Sequence, residues 1–222
     1  MTSIPSFSIW FIILLPYAGS ILTAILSFAG RVRDYVAVFF SFLSVLLCTY
    51  ILLPFLQGQT LTVYDSLIPQ SFPWISGLGL KAGVLSDPYT IILSNVIGWV
   101  SFLIMVYSLE YVRGDSGAHR YFFFMNLFIG SMQLIVLSDN LLSLFIGWEL
   151  VGLCSYALIG YYYRDDKKDW VGKIGHKAMG EEQAYSPSHA GMKAFVMTRA
   201  GDIAMLAGIL ILFIYGKTFN SQ

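Results

Sequence analysis

Three ionisable side chains stand where water should be scarce. Glu149 lies in the apolar run "LLSLFIGWELVGLCSYALIGYYY", residues 141–163, and Arg199 and Asp202 lie in "KAFVMTRAGDIAML", residues 193–206. An ionised residue in the middle of a bilayer span costs at least ~2.5 kcal/mol, so such residues face protein or a water-filled cavity. Glu149 is three residues from Gly152, the centre of its run. At about 1.5 Å per residue this is about 4.5 Å from the midplane. Gly152 follows one turn later on the same face and leaves room for water or for a neighbouring helix. Desolvation favours a protonated carboxyl, and a nearby cation favours the carboxylate. A group that takes a proton when isolated and releases it when positive charge approaches has the chemistry of a proton relay. The same burial also fits a plainer reading, a hydrogen-bonded Glu that links two helices.

Arg199 and Asp202 are three residues apart and share a helical face. They either neutralise each other as an intrahelical pair or bias the charge state of a neighbour. Ala200, Ala204 and Gly208 form a small-residue stripe largely opposite Asp202. That helix is therefore expected to be contacted on two sides, the stripe against one neighbour and the charged face toward another neighbour or a polar cavity.

The elements that must position these residues follow from composition. The chain has 222 residues, of which 57% are hydrophobic and 12% charged, with a mean hydropathy of +0.70; soluble domains carry about 25% charged residues. A span needs about 20 apolar residues. Six segments qualify, residues 9–28, 35–55, 89–112, 121–137, 141–163 and 192–215. The fold class is thus an all-α polytopic membrane protein, with residues 1–222 read as a single membrane domain. Pro16 removes a backbone donor from the first span and is expected to kink it. The sequence lacks a basic segment ahead of its first apolar run, so the first helix is expected to be retained.

Basic residues set the orientation. The first, third and fifth loops hold Arg31, Arg33, Arg113, Arg120, Arg164, Lys167, Lys168, Lys173 and Lys177, whereas the second and fourth hold only Lys81. The positive-inside rule places the odd-numbered loops on the cytoplasmic side and both termini outside. Residues 56–87 include "TLTVYDSLI", which partly alternates, and a small external β-hairpin between the second and third helices is expected there. The fifth loop, residues 164–190, mixes both charge signs with Gly and Pro and reads as a solvated connector.

Several functions are not suggested. With 13 basic and 13 acidic residues the net charge is zero, and no nucleic-acid partner is expected. Cys48 and Cys154 fall in separate spans and suit neither a disulfide nor a zinc motif. His119, His176 and His189 lie in two connections, so no metal site is expected. Glu110 and Asp139 sit at span ends, where a carboxylate is ordinarily hydrated. There is no phosphate-cradling loop, nucleophile elbow, dinucleotide fingerprint or haem attachment motif.

The motifs resemble a known family. "LSLFIGWELVGLCSYALIGYYY" followed by "KAFVMTRAGDIAMLAGILILF" is similar to the fifth and sixth spans of NADH dehydrogenase subunit 5, the largest antiporter-like membrane subunit of respiratory complex I. The resemblance extends upstream through "SDPYTIILSNVIGWVSFLIMVYSLEYVRGD" and "RYFFFMNLFIGSMQLIVLSDNLLSLF", covering residues 86–213 in the family's order. It implies a membrane subunit of an ion-pumping oxidoreductase in an energy-coupling membrane: a prokaryotic cell membrane or its inner mitochondrial or thylakoid equivalent. Cofactors are expected in partner subunits only, as iron–sulfur clusters and bound quinone. The family's central "GWE" carboxylate maps onto Glu149, and its "TRxGD" motif maps onto Thr198, Arg199, Gly201 and Asp202. In the family the central Glu pairs with a lysine on a later helix, and members are much longer than 222 residues. The resemblance therefore implies a fragment or split subunit holding the acidic half of a proton channel, with the lysine-bearing helices supplied downstream or by another polypeptide. Two other readings are a subunit of a multisubunit cation/proton antiporter and a non-pumping structural subunit.

Overall fold

The computed structural model describes residues 2–59, 61–64, 68–75, 80–172, 176–178, 181–182, 184–216 and 218–219. Six helices are long and apolar enough to cross a bilayer: α1 (Ser6–Ile25), α2 (Arg31–Leu56), α3 (Pro88–Tyr111), α4 (Ala118–Leu137), α5 (Leu141–Ile159) and α6 (Pro187–Gly216). Local chemistry sets their starts. Asp87 and Thr90 form a capping box ahead of α3, with Pro88 in its first turn. The Asn140 side chain accepts from the Ser143 backbone N–H at 2.7 Å to open α5. Gly30, at φ 55°, makes the tight turn from α1 into α2. Pro16 lies inside α1, buried.

Helices α1 to α4 form a bundle, α5 packs on α4, and α6 packs on α5. Two apolar layers fill the bundle. One joins Ile9, Ile12 and Ile13 to Cys48, Ile51, Ile91 and Leu137; the other joins Ala37 and Met105 to Phe122 and Ile129. Buried polar side chains cross-link the helices within this core. Ser94 Oγ donates to Gln133 Oε1 at 2.7 Å, Gln133 Nε2 returns to the Ser94 carbonyl at 3.0 Å, and Asn95 Nδ2 donates to the Cys48 carbonyl at 2.8 Å. Such interhelical bonds average about 0.6 kcal/mol each in a membrane. Large apolar side chains on the outer faces of α2, α3 and α6, among them Phe39, Leu46, Leu103, Ile104, Ile203 and Leu212, stand exposed, the pattern of a lipid-facing surface.

Short strands cover one end. β1 (Thr2–Pro5) pairs in parallel with β2 (Leu61–Tyr64), and β3 (Ser71–Ile75) pairs antiparallel with β4 (Leu80–Gly83). The expected hairpin between the second and third helices is therefore present, but it is built from "SFPWI" and "LKAG". The alternating piece upstream pairs instead with the N-terminus; its residues 60 and 65–67 lie outside the described residues. The hairpin is tied to the turn between α4 and α5: Leu85 N–H donates to the Leu137 carbonyl at 2.7 Å and Asn140 Nδ2 to the Lys81 carbonyl at 2.9 Å. At the opposite end the third and fifth loops meet, with Arg120 of α4 stacked 4.0 Å over the Tyr163 ring and Tyr161 Oη 3.4 Å from Asp115 Oδ2. In the fifth loop a two-residue ladder, β5 (Lys177–Ala178) with β6 (Glu181–Glu182), adds a little order to the connector. Residues 173–175, 179–180 and 183 of that loop lie outside the described residues.

Candidate functional site

The site belongs to the α5–α6 pair, and glycines set how closely the two helices approach. At one end Gly191 lies under α5, where a Cβ would stand 2.9 Å from the Tyr156 carbonyl oxygen and 3.2 Å from Gly160 N. Backbone meets backbone there. The same end is held by Asp165, whose side chain accepts from the Ser188 backbone N–H at 3.0 Å and from the Ser188 hydroxyl. At the other end Ile209 and Phe213 pack with Leu141, Leu142 and Phe145. On its opposite side α5 is set against α4 by Gly147, where a Cβ would fall 3.0 Å from the Ser131 carbonyl oxygen.

Between these anchors the three ionisable residues come together. Arg199 Nη1 makes an ion pair with Glu149 Oε2 and lies 3.5 Å from Asp202 Oδ2. Gly152 lies beside the pair: the position a Cβ would take there is 3.7 Å from Arg199 Nη2, an ordinary van der Waals distance. The Phe195 ring sits under the guanidinium at 4.2 Å, a cation–π contact. Trp148 Nε1 donates to Asp202 Oδ1 at 2.7 Å, so the acid is held from both sides. Asp202 is the most enclosed of the three, its side chain 7% exposed against 27% for Glu149 and Arg199. A cavity of about 530 Å³ opens beside the cluster, lined mainly by apolar side chains including Met132, Trp148, Tyr156 and Phe195.

One cation serves two carboxylates. With all three groups ionised the cluster carries one net negative charge, and a single proton, or one further cation, balances it. In a site lined mostly by carbon that balance is worth far more than in water. The arrangement can therefore hold a proton on a carboxylate and release it as positive charge approaches.

The structure unites Glu149, Arg199 and Asp202, which sequence reasoning had placed in two separate groups. Arg199 pairs with Glu149 on α5 as well as with Asp202 on its own helix, so the guanidinium is not simply a partner for its own helix. Trp148 and Phe195 were missed. An indole N–H inside an apolar span needs an acceptor, and that signal was available in "GWE". The small-residue stripe behaves differently from expectation: Ala200, Ala204 and Gly208 are exposed, and no described atom lies within 4 Å of a Cβ built at Gly208. The reason is positional, because α6 is the outermost helix of the row and meets α5 with its other face. Elsewhere, Glu110 pairs at the surface with Arg113 at 2.8 Å. His119 and His189 lie in the first turns of α4 and α6 rather than in loops.

The chain is a row of membrane-spanning helices whose fifth and sixth members share a carboxylate–guanidinium–carboxylate cluster. Residues 73–122 match the family model for NADH-ubiquinone oxidoreductase (complex I), chain 5 N-terminus, and residues 138–173 match that for the NADH:quinone oxidoreductase/Mrp antiporter transmembrane region. Over these segments the chain is similar to the N-terminal portion of subunit 5 (subunit L) proteins. Glu149 falls within the second matched segment, while Arg199 and Asp202 lie outside both. NADH-quinone oxidoreductase subunit L of Escherichia coli (strain K12) is 39% identical over 149 residues, 66% of this chain and 21% of that protein. The subunit L of Mycobacterium tuberculosis (strain H37Rv) is 33% identical over 222 residues, 96% of this chain and 31% of that protein. The chain thus spans between a fifth and a third of the length of these relatives. Among solved structures, a chain of the membrane-bound sulfane sulfur reductase, an archaeal respiratory membrane complex, aligns with a TM-score of 0.70 at 16% identity, covering 96% of this chain and 38% of that one. That likeness concerns the fold.

Proposed function

We propose that this chain acts as a proton-translocating membrane subunit of a complex I-like quinone oxidoreductase and supplies the acidic half of an antiporter-like proton channel. The observation that carries the reading is the sharing of Arg199 between Glu149 and Asp202 midway along two spans. In the proposed cycle a proton reaches Glu149, the ion pair with Arg199 is lost, and the guanidinium turns toward Asp202. Approach of a second cation, or return of Arg199, then expels the proton. By resemblance that second cation is a lysine on helices beyond this chain or on another polypeptide. Moving one charge against 100 mV requires about 2.3 kcal/mol, which quinone reduction in partner subunits would supply. The redox centres belong to those partners, and this chain contributes no electron transfer of its own. Residues 1–222 act as one membrane domain in an energy-coupling membrane, with the odd-numbered loops on the cytoplasmic side and the termini opposite.

The test is Glu149→Gln in the native complex. Proton pumping per quinone reduced should be lost while the complex still assembles, and undiminished pumping would overturn the proposal. Co-purification separates the rival: quinone-reducing subunits fit this reading, and small antiporter subunits without redox proteins would replace it with a cation/proton exchanger.

A further inference from the structure

We infer that Trp148 is a positioning residue that sets how Arg199 is divided between the two carboxylates. The inference rests on the proton-relay reading of Glu149 and goes beyond it by assigning a role to the residue beside it.

The indole has one polar atom, and it can only donate. It spends that donor on Asp202 Oδ1 at 2.7 Å, a charge-assisted bond at the short end of the usual range. This fixes the rotation of the carboxylate. With Oδ1 held by Trp148, Oδ2 is the oxygen paired with Arg199 Nη1, at 3.5 Å and so beyond a charge-assisted hydrogen bond, while the same nitrogen makes an ion pair with Glu149 Oε2. A guanidinium prefers a carboxylate that offers both oxygens in parallel. The indole bond competes with Arg199 for the lone pairs of Oδ1 and weakens a two-oxygen pairing at Asp202. Arg199 therefore rests on Glu149 in this state and has a second, weaker berth within reach when Glu149 is protonated. Phe195 beneath the guanidinium keeps the group in the plane where both berths are accessible. Without the indole bond, Asp202 is free to rotate and take Arg199 with both oxygens, and Glu149 loses its resting partner. Trp148 is half-exposed on the wall of the cavity beside the cluster, so its ring adds little core packing that would otherwise explain it.

The experiment is a double-mutant cycle in the complete native complex, reading protons pumped per quinone reduced. Trp148→Phe keeps the aromatic ring and removes the donor; it should lower pumping about tenfold, the scale of a lost hydrogen bond to a charged group. Asp202→Ala should also lower it, and the double variant should pump no worse than Asp202→Ala alone, because the indole then has nothing to hold. Independent, multiplicative losses in the double variant, or wild-type pumping by Trp148→Phe, would overturn the inference. If Trp148→Phe fails to assemble, the indole N–H signature in the ultraviolet resonance Raman spectrum of the Asp202→Ala complex decides: one hydrogen-bonded indole should be lost, and an unchanged spectrum would overturn the assignment. Glu149→Gln measured alongside keeps the two readings apart. Its normal pumping would strike the proton relay itself, whereas its loss of pumping together with multiplicative Trp148 and Asp202 effects would strike only the positioning role.

Discussion

Gly191 and Tyr156 stand in backbone contact: a Cβ on the first would lie 2.9 Å from the carbonyl oxygen of the second. This crossing point is two turns of α6 from Arg199, and it fixes how far α6 stands from α5 along the stretch where Glu149, Arg199 and Asp202 meet.

Gly191→Ala should therefore act at a distance. The clash is with main-chain atoms, Tyr156 O and Gly160 N, which cannot rotate away, so the helices must separate. Overpacking of this kind costs roughly 1–3 kcal/mol, and the displacement would lengthen the contact between Arg199 and Glu149. We expect a lower unfolding midpoint in detergent together with reduced pumping. Gly208→Ala, where no described atom lies within 4 Å of a Cβ, serves as the control for the α5–α6 crossing and should leave the unfolding midpoint of this chain in detergent unchanged; an equal drop in both variants would show that the crossing point is not tight.

Arg199→Ala leaves two carboxylates side by side with no cation. Removing one partner of a fully buried pair costs about 3–5 kcal/mol, and the 27% exposure of Glu149 and Arg199 argues for a smaller loss here, about 1–3 kcal/mol after solvent screening. The sharper expectation is the order of the variants. Arg199→Ala should be less stable than the triple variant that also carries Glu149→Gln and Asp202→Asn, because the triple variant has no unpaired charge left to bury. Thermal unfolding in detergent measures this directly, and a triple variant less stable than Arg199→Ala would show that the cluster is held by packing rather than by charge balance.

The contrast between what was legible and what was not has a physical basis. Six spans are readable because about 20 apolar residues are a length requirement of the bilayer itself. The start of α4 was placed three residues late, since His119 and Arg120 fall below an apolar criterion although they sit in its first helical turn. The hairpin falls in the expected interval, but alternation marks a strand without naming its partner: residues 61–64 alternate and pair with the N-terminus. Within the site, the shared face of Arg199 and Asp202 follows from helical spacing. The meeting of Arg199 with Glu149 does not, since it depends on the register of two antiparallel helices. That register is set by the close approach at Gly191, which a single sequence does not reveal.

The last prediction concerns the loop that delivers α6. Asp165 adopts a left-handed backbone conformation, φ 56°, and its carboxylate receives the Ser188 hydroxyl and the Ser188 backbone N–H. Those two hydrogen bonds, the hydroxyl first, hold its pKa below the ordinary 3.8. A carboxylate depressed in the folded state stabilises that state fully above its ordinary pKa, and the contribution disappears as pH falls through the folded value. At neutral pH the clamp is complete, and it should weaken only below about pH 3.8. Hydrogen exchange at the Ser188 amide, corrected for intrinsic rates, should show protection that is flat at neutral pH and falls in strong acid. Asp165→Asn tolerates the left-handed backbone, removes the charge and turns one of the two acceptor oxygens into a donating NH2, so protection at neutral pH should drop and the acid dependence should vanish. If Asp165→Asn protects the Ser188 amide as well as the native residue does at neutral pH, the charged clamp is not what holds the start of α6, and the depth at which Arg199 meets Glu149 must be set by Gly191 alone.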